Sequence, residues 1–133
     1  MPKTLTLTRP TDTDLIKVPL WIINPATGAA QQFLADLDTG NDHTCIHPRT
    51  LQQIGLVPNG RHLPIHGVTA SSVAQVATVS LGMHMDNGHQ ITVNSHEVAV
   101  LDSINCDILM GRDFLQWCDV SLRRGGTTTL TFD

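Results

Sequence analysis

The segment Phe33-Leu34-Ala35-Asp36-Leu37-Asp38-Thr39-Gly40-Asn41-Asp42 holds the residues best suited to chemistry. An apolar run that ends in Asp, Thr and Gly describes a strand entering a tight turn, with Asp38 held rigidly where the strand stops. A fixed carboxyl group there can act as a general base or share a proton with a second acid. A turn-capping Asp is the plain structural alternative. Asp36 precedes Asp38 by two residues, so on a strand both occupy one face, with side chains leaving the backbone about 6.5–7 Å apart. A carboxylate pair for sugar hydrolysis would flank the bond from opposite sides, which adjacent same-face positions serve poorly. His43, Cys45 and His47 alternate like soft metal ligands on one strand face, yet no second cluster with ligand spacing completes a site. Three cysteines, Cys45, Cys106 and Cys118, cannot all pair within one chain, and none sits in a nucleophile signature. They are expected to be reduced and mostly buried.

Further along stands Ile108-Leu109-Met110-Gly111-Arg112-Asp113-Phe114-Leu115. With this second segment the chain resembles the retropepsin-like, single-domain branch of the aspartic proteases, in which an apolar-Asp-Thr-Gly strand end and a later Gly-Arg-Asp-Phe-Leu segment enclose a flap hairpin. The resemblance spans nearly the whole chain and implies an all-β, closed barrel with one or two short helices, residues 1–133 forming a single domain. It implies an aspartic endopeptidase that hydrolyses peptide or protein substrates without metal or organic cofactor.

Residue by residue, Asp38 resembles the catalytic Asp, Thr39 the hydroxyl that braces two loops across a dimer axis, and Gly40 the backbone position that bonds substrate. Gly67, Val68 and Thr69 fall at the expected flap tip. Asp42 resembles the acidic partner of the Arg in the later segment, here Arg112, a planar pairing that would tie the loop to the second helix. Asn41 and Asp36 depart from the family pattern, yet by position the resemblance implies that both bind substrate, as do Gly67, Val68 and Thr69, with Asp36 lining the pocket beside the scissile bond. Because the sequence contains one Asp-Thr-Gly, a second carboxylate must come from a two-fold partner, so the protease reading requires a homodimer. Its terminal strands, around residues 4–8 and 130–132, are expected to interleave across the axis. Asp36 would add charge to that cleft and stabilise the proton the two aspartates share. The rival reading is a catalytically silent dimerisation or peptide-binding module of the same fold.

The elements that position these residues follow from period-two alternation of apolar and polar side chains. It predicts strands over residues 3–8, 17–23, 32–37, 44–46, 73–81, 91–100, 108–111 and 127–132. Turns are expected at 24–28 and 86–88, where Asn-Pro-Ala-Thr-Gly and Asp-Asn-Gly supply turn chemistry. Pro48 opens a short helix that Gly55 stops, and residues 112–117 form another. His62 and His66 have helical spacing, but Pro64 spoils a helix between them, so they are expected in a loop near the flap.

Composition agrees. A chain of 133 residues, 41% hydrophobic and punctuated by 10 Gly and 7 Pro, suits one strand-rich core. Its net charge of −4 is spread along the chain, which argues against nucleic acid as a partner. The apolar run Leu20-Trp21-Ile22-Ile23 is far short of the roughly 20 residues a membrane helix needs. The first residues, MPKTLTLTRP, lack the apolar core of a secretory signal, so a cytoplasmic location is expected.

Overall fold

In the computed structural model, which describes residues 2–8, 15–66 and 71–132, ten strands and two short helices follow one another along the chain. They are β1 (Lys3–Thr8), β2 (Lys17–Ile23), β3 (Ala30–Leu37), β4 (Cys45–Ile46), α1 (Pro48–Gln53), β5 (His62–His66), β6 (Ser71–His84), β7 (Gln90–Val100), β8 (Ile108–Met110), α2 (Arg112–Leu115), β9 (Asp119–Arg123) and β10 (Thr127–Phe132). The larger sheet runs β2-β3-β8-β4-β7-β6-β5, and β2 also pairs with β6, so six strands close into a barrel with β5 hanging from its rim. Closure removes the open edges that a flat sheet of this size would expose.

Alternation decides what fills the barrel. On β3 the inward residues Phe33, Ala35 and Leu37 are buried, while Leu34 and Asp36 face outward. On β2 the inward set is Val18, Leu20 and Ile22, none of it exposed. Ile46, Val79, Leu81, Ile108 and Met110 complete the centre. β2 and β3 therefore bury one face and leave the next residue free for the surface or a site, whereas β4, β6 and β7 bury consecutive residues such as Cys45 and Ile46 or Val98 and Ala99.

The hairpin joining β2 and β3 is built by Asn24. Its Oδ1 accepts from the N–H groups of Ala26 and Thr27, its carbonyl accepts from Gly28 N at 2.8 Å, and Gly28 takes φ 79, which glycine adopts without strain. α1 opens at His47, whose side chain accepts from Arg49 N, with Pro48 in the first turn.

Two strands lie where the sequence reading had none. His62 and His66 belong to β5 rather than to a loop: Pro64 excludes a helix, but it is tolerated here because β5 is the outermost strand of its sheet. β9 follows α2 directly, and α2 itself stops at Leu115, shorter than the expected residues 112–117.

The termini also differ from the expected interleaving. β1 and β10 pair with each other inside one chain, from Lys3↔Phe132 to Thr8↔Thr127, and β10 pairs on its other side with β9. As the centre of a three-stranded sheet, β10 has no edge left for a partner. Leu5, Leu7, Leu130 and Phe132 of this sheet are buried and join the barrel core.

Candidate active site

The parallel pairing of β3 with β8 sets the site. It aligns Asp36 with Leu109 and Leu37 with Met110, so the two motif segments leave the barrel side by side. Asp38 stands one residue beyond β3, where its N–H donates to Met110 O at 3.0 Å. The chain then turns: Gly40 N donates to Asp38 Oδ1 at 2.9 Å, which orients the carboxylate. A Cβ on Gly40 would lie 3.2 Å from that oxygen, so the missing side chain gives the carboxylate room. Asp38 is half-buried, and Thr39 and Gly40 are exposed on the single chain.

Asn41 serves the loop. Its Oδ1 accepts from His43 N at 3.1 Å and its carbonyl accepts from Arg112 N at 2.8 Å. The carbonyl of Asp42 likewise accepts from Asp113 N, so the first N–H groups of α2 are satisfied by the loop that carries Asp38. Gly111 makes this approach possible: a Cβ there would sit 2.6 Å from the backbone carbon and oxygen of His43 and 2.9 Å from Asn41 O. The side chains of Arg112 and Asp42 form an ion pair, with 58% and 61% of each exposed.

Behind the loop lies a network the sequence reading did not identify. Asp113 Oδ1 accepts from Thr44 N at 2.9 Å and from Thr44 Oγ1 at 2.7 Å, and Oδ2 lies 2.9 Å from His96 Nε2. Thr44 Oγ1 in turn accepts from Gly111 N. Burial pushes the Asp113 carboxyl up, but the hydrogen bonds from His96 and Thr44 outweigh it and hold the group below its ordinary value. His96 packs edge-on against Phe114, and Phe114 against Phe132, which links the network to the terminal sheet. Asp113 was legible as part of a motif, whereas nothing near it in sequence announced Thr44 or His96.

Asp36 does not stand as a free charge beside Asp38. It lies opposite Lys17 in the β2–β3 register and pairs with that ammonium, leaving 15% of its side chain exposed. The expectation that Asp36 adds uncompensated negative charge to the cleft is thereby corrected, because a cation faces it directly across the strand pair. Cys106 packs beside this pair; its thiol is pushed up to about 11 by burial and then by the charge of Asp36.

His43, Cys45 and His47 do not converge. Cys45 is buried, its Sγ donates to His43 O, and its thiol is pushed up to about 12 by burial and then by the charge of Asp113, which makes it a poor ligand. His47 is committed to capping α1. Cys45, Ala74 and Ala99 instead form a second apolar cluster outside the barrel, joined by the half-buried Ile65, Leu101, Ile104 and Leu109. Gly67, Val68 and Thr69 lie outside the described residues, between β5 and β6.

Comparison with known proteins agrees with this geometry. The family model described as "gag-polyprotein putative aspartyl protease" matches residues 26–117, which include both motif segments, and the chain belongs to that retropepsin-like family. No curated protein matches the sequence. Among solved structures, a retropepsin-like aspartic protease from Rickettsia conorii superposes with a TM-score of 0.69 at 13% identity, over 99% of this chain and 93% of that one. The fold is therefore retropepsin-like, with the six-stranded barrel at its centre. No helix among the described residues is long and apolar enough to cross a membrane.

Proposed function

We propose that this chain is an aspartic endopeptidase that works as a homodimer, with Asp38 of one protomer facing the partner's Asp38 across a two-fold axis. One observation carries the reading: in the chain's single Asp-Thr-Gly the backbone N–H of Asp38 is held by Met110 O and its carboxylate by Gly40 N, on a loop whose Thr39 and Gly40 are exposed. A rigid acid on an uncovered loop suits chemistry that a second copy completes.

Two carboxylates in contact cannot both ionise, so the pair holds one proton between them. The ionised Asp38 takes a proton from a water molecule, and the oxygen of that water attacks the scissile carbonyl. The protonated Asp38 bonds the carbonyl oxygen as negative charge develops on it. Collapse of the tetrahedral intermediate returns a proton to the leaving nitrogen and breaks the C–N bond.

Thr39 braces the two loops across the axis, and Gly40 bonds substrate backbone. Asn41 shapes the loop beside the pair, Gly67, Val68 and Thr69 cover the substrate, and the Asp42–Arg112 pair supports the loop from outside. Asp36, held by Lys17, offers a hydrogen-bonding wall rather than a bare charge. The half-buried Ile65, Leu101, Ile104 and Leu109 offer apolar surface for substrate side chains.

Incubating the protein and its Asp38→Asn variant with a peptide library across acid and neutral pH tests the reading. Cleavage by the wild type that vanishes in a folded Asp38→Asn variant is expected. Equal cleavage by both proteins would overturn it.

A further inference from the structure

The three-stranded sheet has two outer edges, and they differ. On β1, Asp86 from the β6–β7 turn occupies the edge: its Oδ1 accepts from Thr6 N at 3.0 Å, its Oδ2 accepts from Thr6 Oγ1 at 2.6 Å, and its N–H donates to Thr4 O at 2.8 Å. On the other side β9 is the last strand in the order. Among the described residues, no hydrogen bond reaches Val120 or Leu122 from outside the sheet.

The bonds to Asp86 also fix which groups β9 leaves free. Thr4 and Thr6 address the outer edge of β1, so Leu5 and Leu7 bond β10 through Leu130 and Thr128, because successive residues of an antiparallel ladder alternate in the edge they address. Thr129 and Thr131 then address β9 and meet Ser121 and Asp119. What remains pointing outward is the N–H and C=O of Val120 and of Leu122.

We infer that the outer edge of β9 is the strand-pairing interface between two copies of this chain, joined antiparallel about a two-fold axis at Ser121. In that register Val120 exchanges both hydrogen bonds with the partner's Leu122, and Leu122 with the partner's Val120. Asp119 falls opposite the partner's Arg123 at a non-hydrogen-bonded position, where Cα atoms approach to about 4.5 Å, and the pair recurs on the other side of the axis. The five-residue strand Asp119–Arg123 is thus complementary to itself reversed, as an isologous contact requires. Leu122 lies on the face of its ladder neighbour Thr128, which is buried, yet is itself 59% exposed. A partner strand would cover it. Nothing else along this edge blunts pairing: its centre is Val-Ser-Leu, with charge only at the ends.

This inference rests on the homodimer proposed above, and charge reversal separates the two. Asp119→Lys alone or Arg123→Glu alone places like charges opposite each other twice, and each should weaken self-association about tenfold, as read by sedimentation or light scattering. Mixed together, the two variants present Lys opposite Glu and Arg opposite Asp, and the wild-type association should return. Both sites are exposed, so the fold survives the changes. Leu122→Pro, which removes an outward N–H without touching the β10 ladder, should also yield monomers. Variants that associate like the wild type, or a mixture no tighter than its components, would overturn the β9 interface, and continued cleavage by such dimers would leave the protease reading intact. Association that follows the charge pattern in a protein that cleaves nothing would uphold the interface and overturn the protease reading.

Discussion

His96 Nε2 lies 2.9 Å from Asp113 Oδ2, and this contact joins β7 to α2 directly behind the loop that carries Asp38. With the other oxygen accepting twice from Thr44, one carboxylate ties β7 and α2 to the segment that leads into β4. Asp113→Ala should cost about 2–3 kcal/mol, since it removes charge-assisted bonds and leaves the buried Thr44 without its acceptor. Urea unfolding measures it. Because the folded Asp113 carboxyl titrates below its ordinary 3.8, its contribution is present above that pH and is lost as pH falls through the folded value. The wild type should therefore lose stability below about pH 4 more steeply than Asp113→Asn, whose amide does not titrate.

The neighbouring ion pair should behave differently. Arg112 and Asp42 are more than half exposed, and the backbone bonds from α2 to Asn41 and Asp42 persist without the side chains. Arg112→Leu should cost less than about 1 kcal/mol. A loss as large as that of Asp113→Ala in the same unfolding experiment would contradict this ranking.

Gly111→Ala should be far more damaging than its size suggests. The added carbon meets backbone atoms of His43 at 2.6 Å, and those atoms belong to the loop that α2 secures. Relief requires separating the loop from the helix, so a loss of about 3 kcal/mol or failure to fold is expected. Thermal unfolding together with cleavage reads both effects.

Lys17 should set the upper limb of the pH–activity profile. While it neutralises Asp36, the proposed pair of Asp38 groups senses little extra charge. Lys17→Met uncovers the carboxylate, negative charge favours the protonated form of its neighbours, and the limb should move to higher pH. Adding Asp36→Asn to that variant should return it. A profile unchanged by Lys17→Met would show that Asp36 is electrically remote from Asp38.

Much of this was readable in the sequence because it is local. The alternation over residues 3–8 and 17–23 matches β1 and β2 residue for residue, and Asp38-Thr39-Gly40 announces a strand end by its own chemistry. β9 was missed because Asp-Val-Ser-Leu-Arg offers only two apolar residues and follows a helix without turn residues. β5 was missed because Pro64 and two histidines mask an edge strand. The Lys17–Asp36 pair depends on the β2–β3 register, and the Asp113 network joins Thr44, His96 and Asp113 from separate segments, so neither leaves a local pattern. The terminal strands were recognised as strands, but their partner depends on Asp86, far away in sequence, closing the edge of β1.

Subunit mixing tests the central claim, that two copies of Asp38 form one site, most directly. Wild-type protein is titrated with Asp38→Asn at concentrations where both are dimeric, and peptide cleavage per wild-type chain is followed. If the site needs both carboxylates, random exchange diverts wild-type chains into dead heterodimers, and activity per wild-type chain falls to about half at equal amounts. Activity that stays constant as the variant is added would mean that each chain cleaves alone, and would contradict the account.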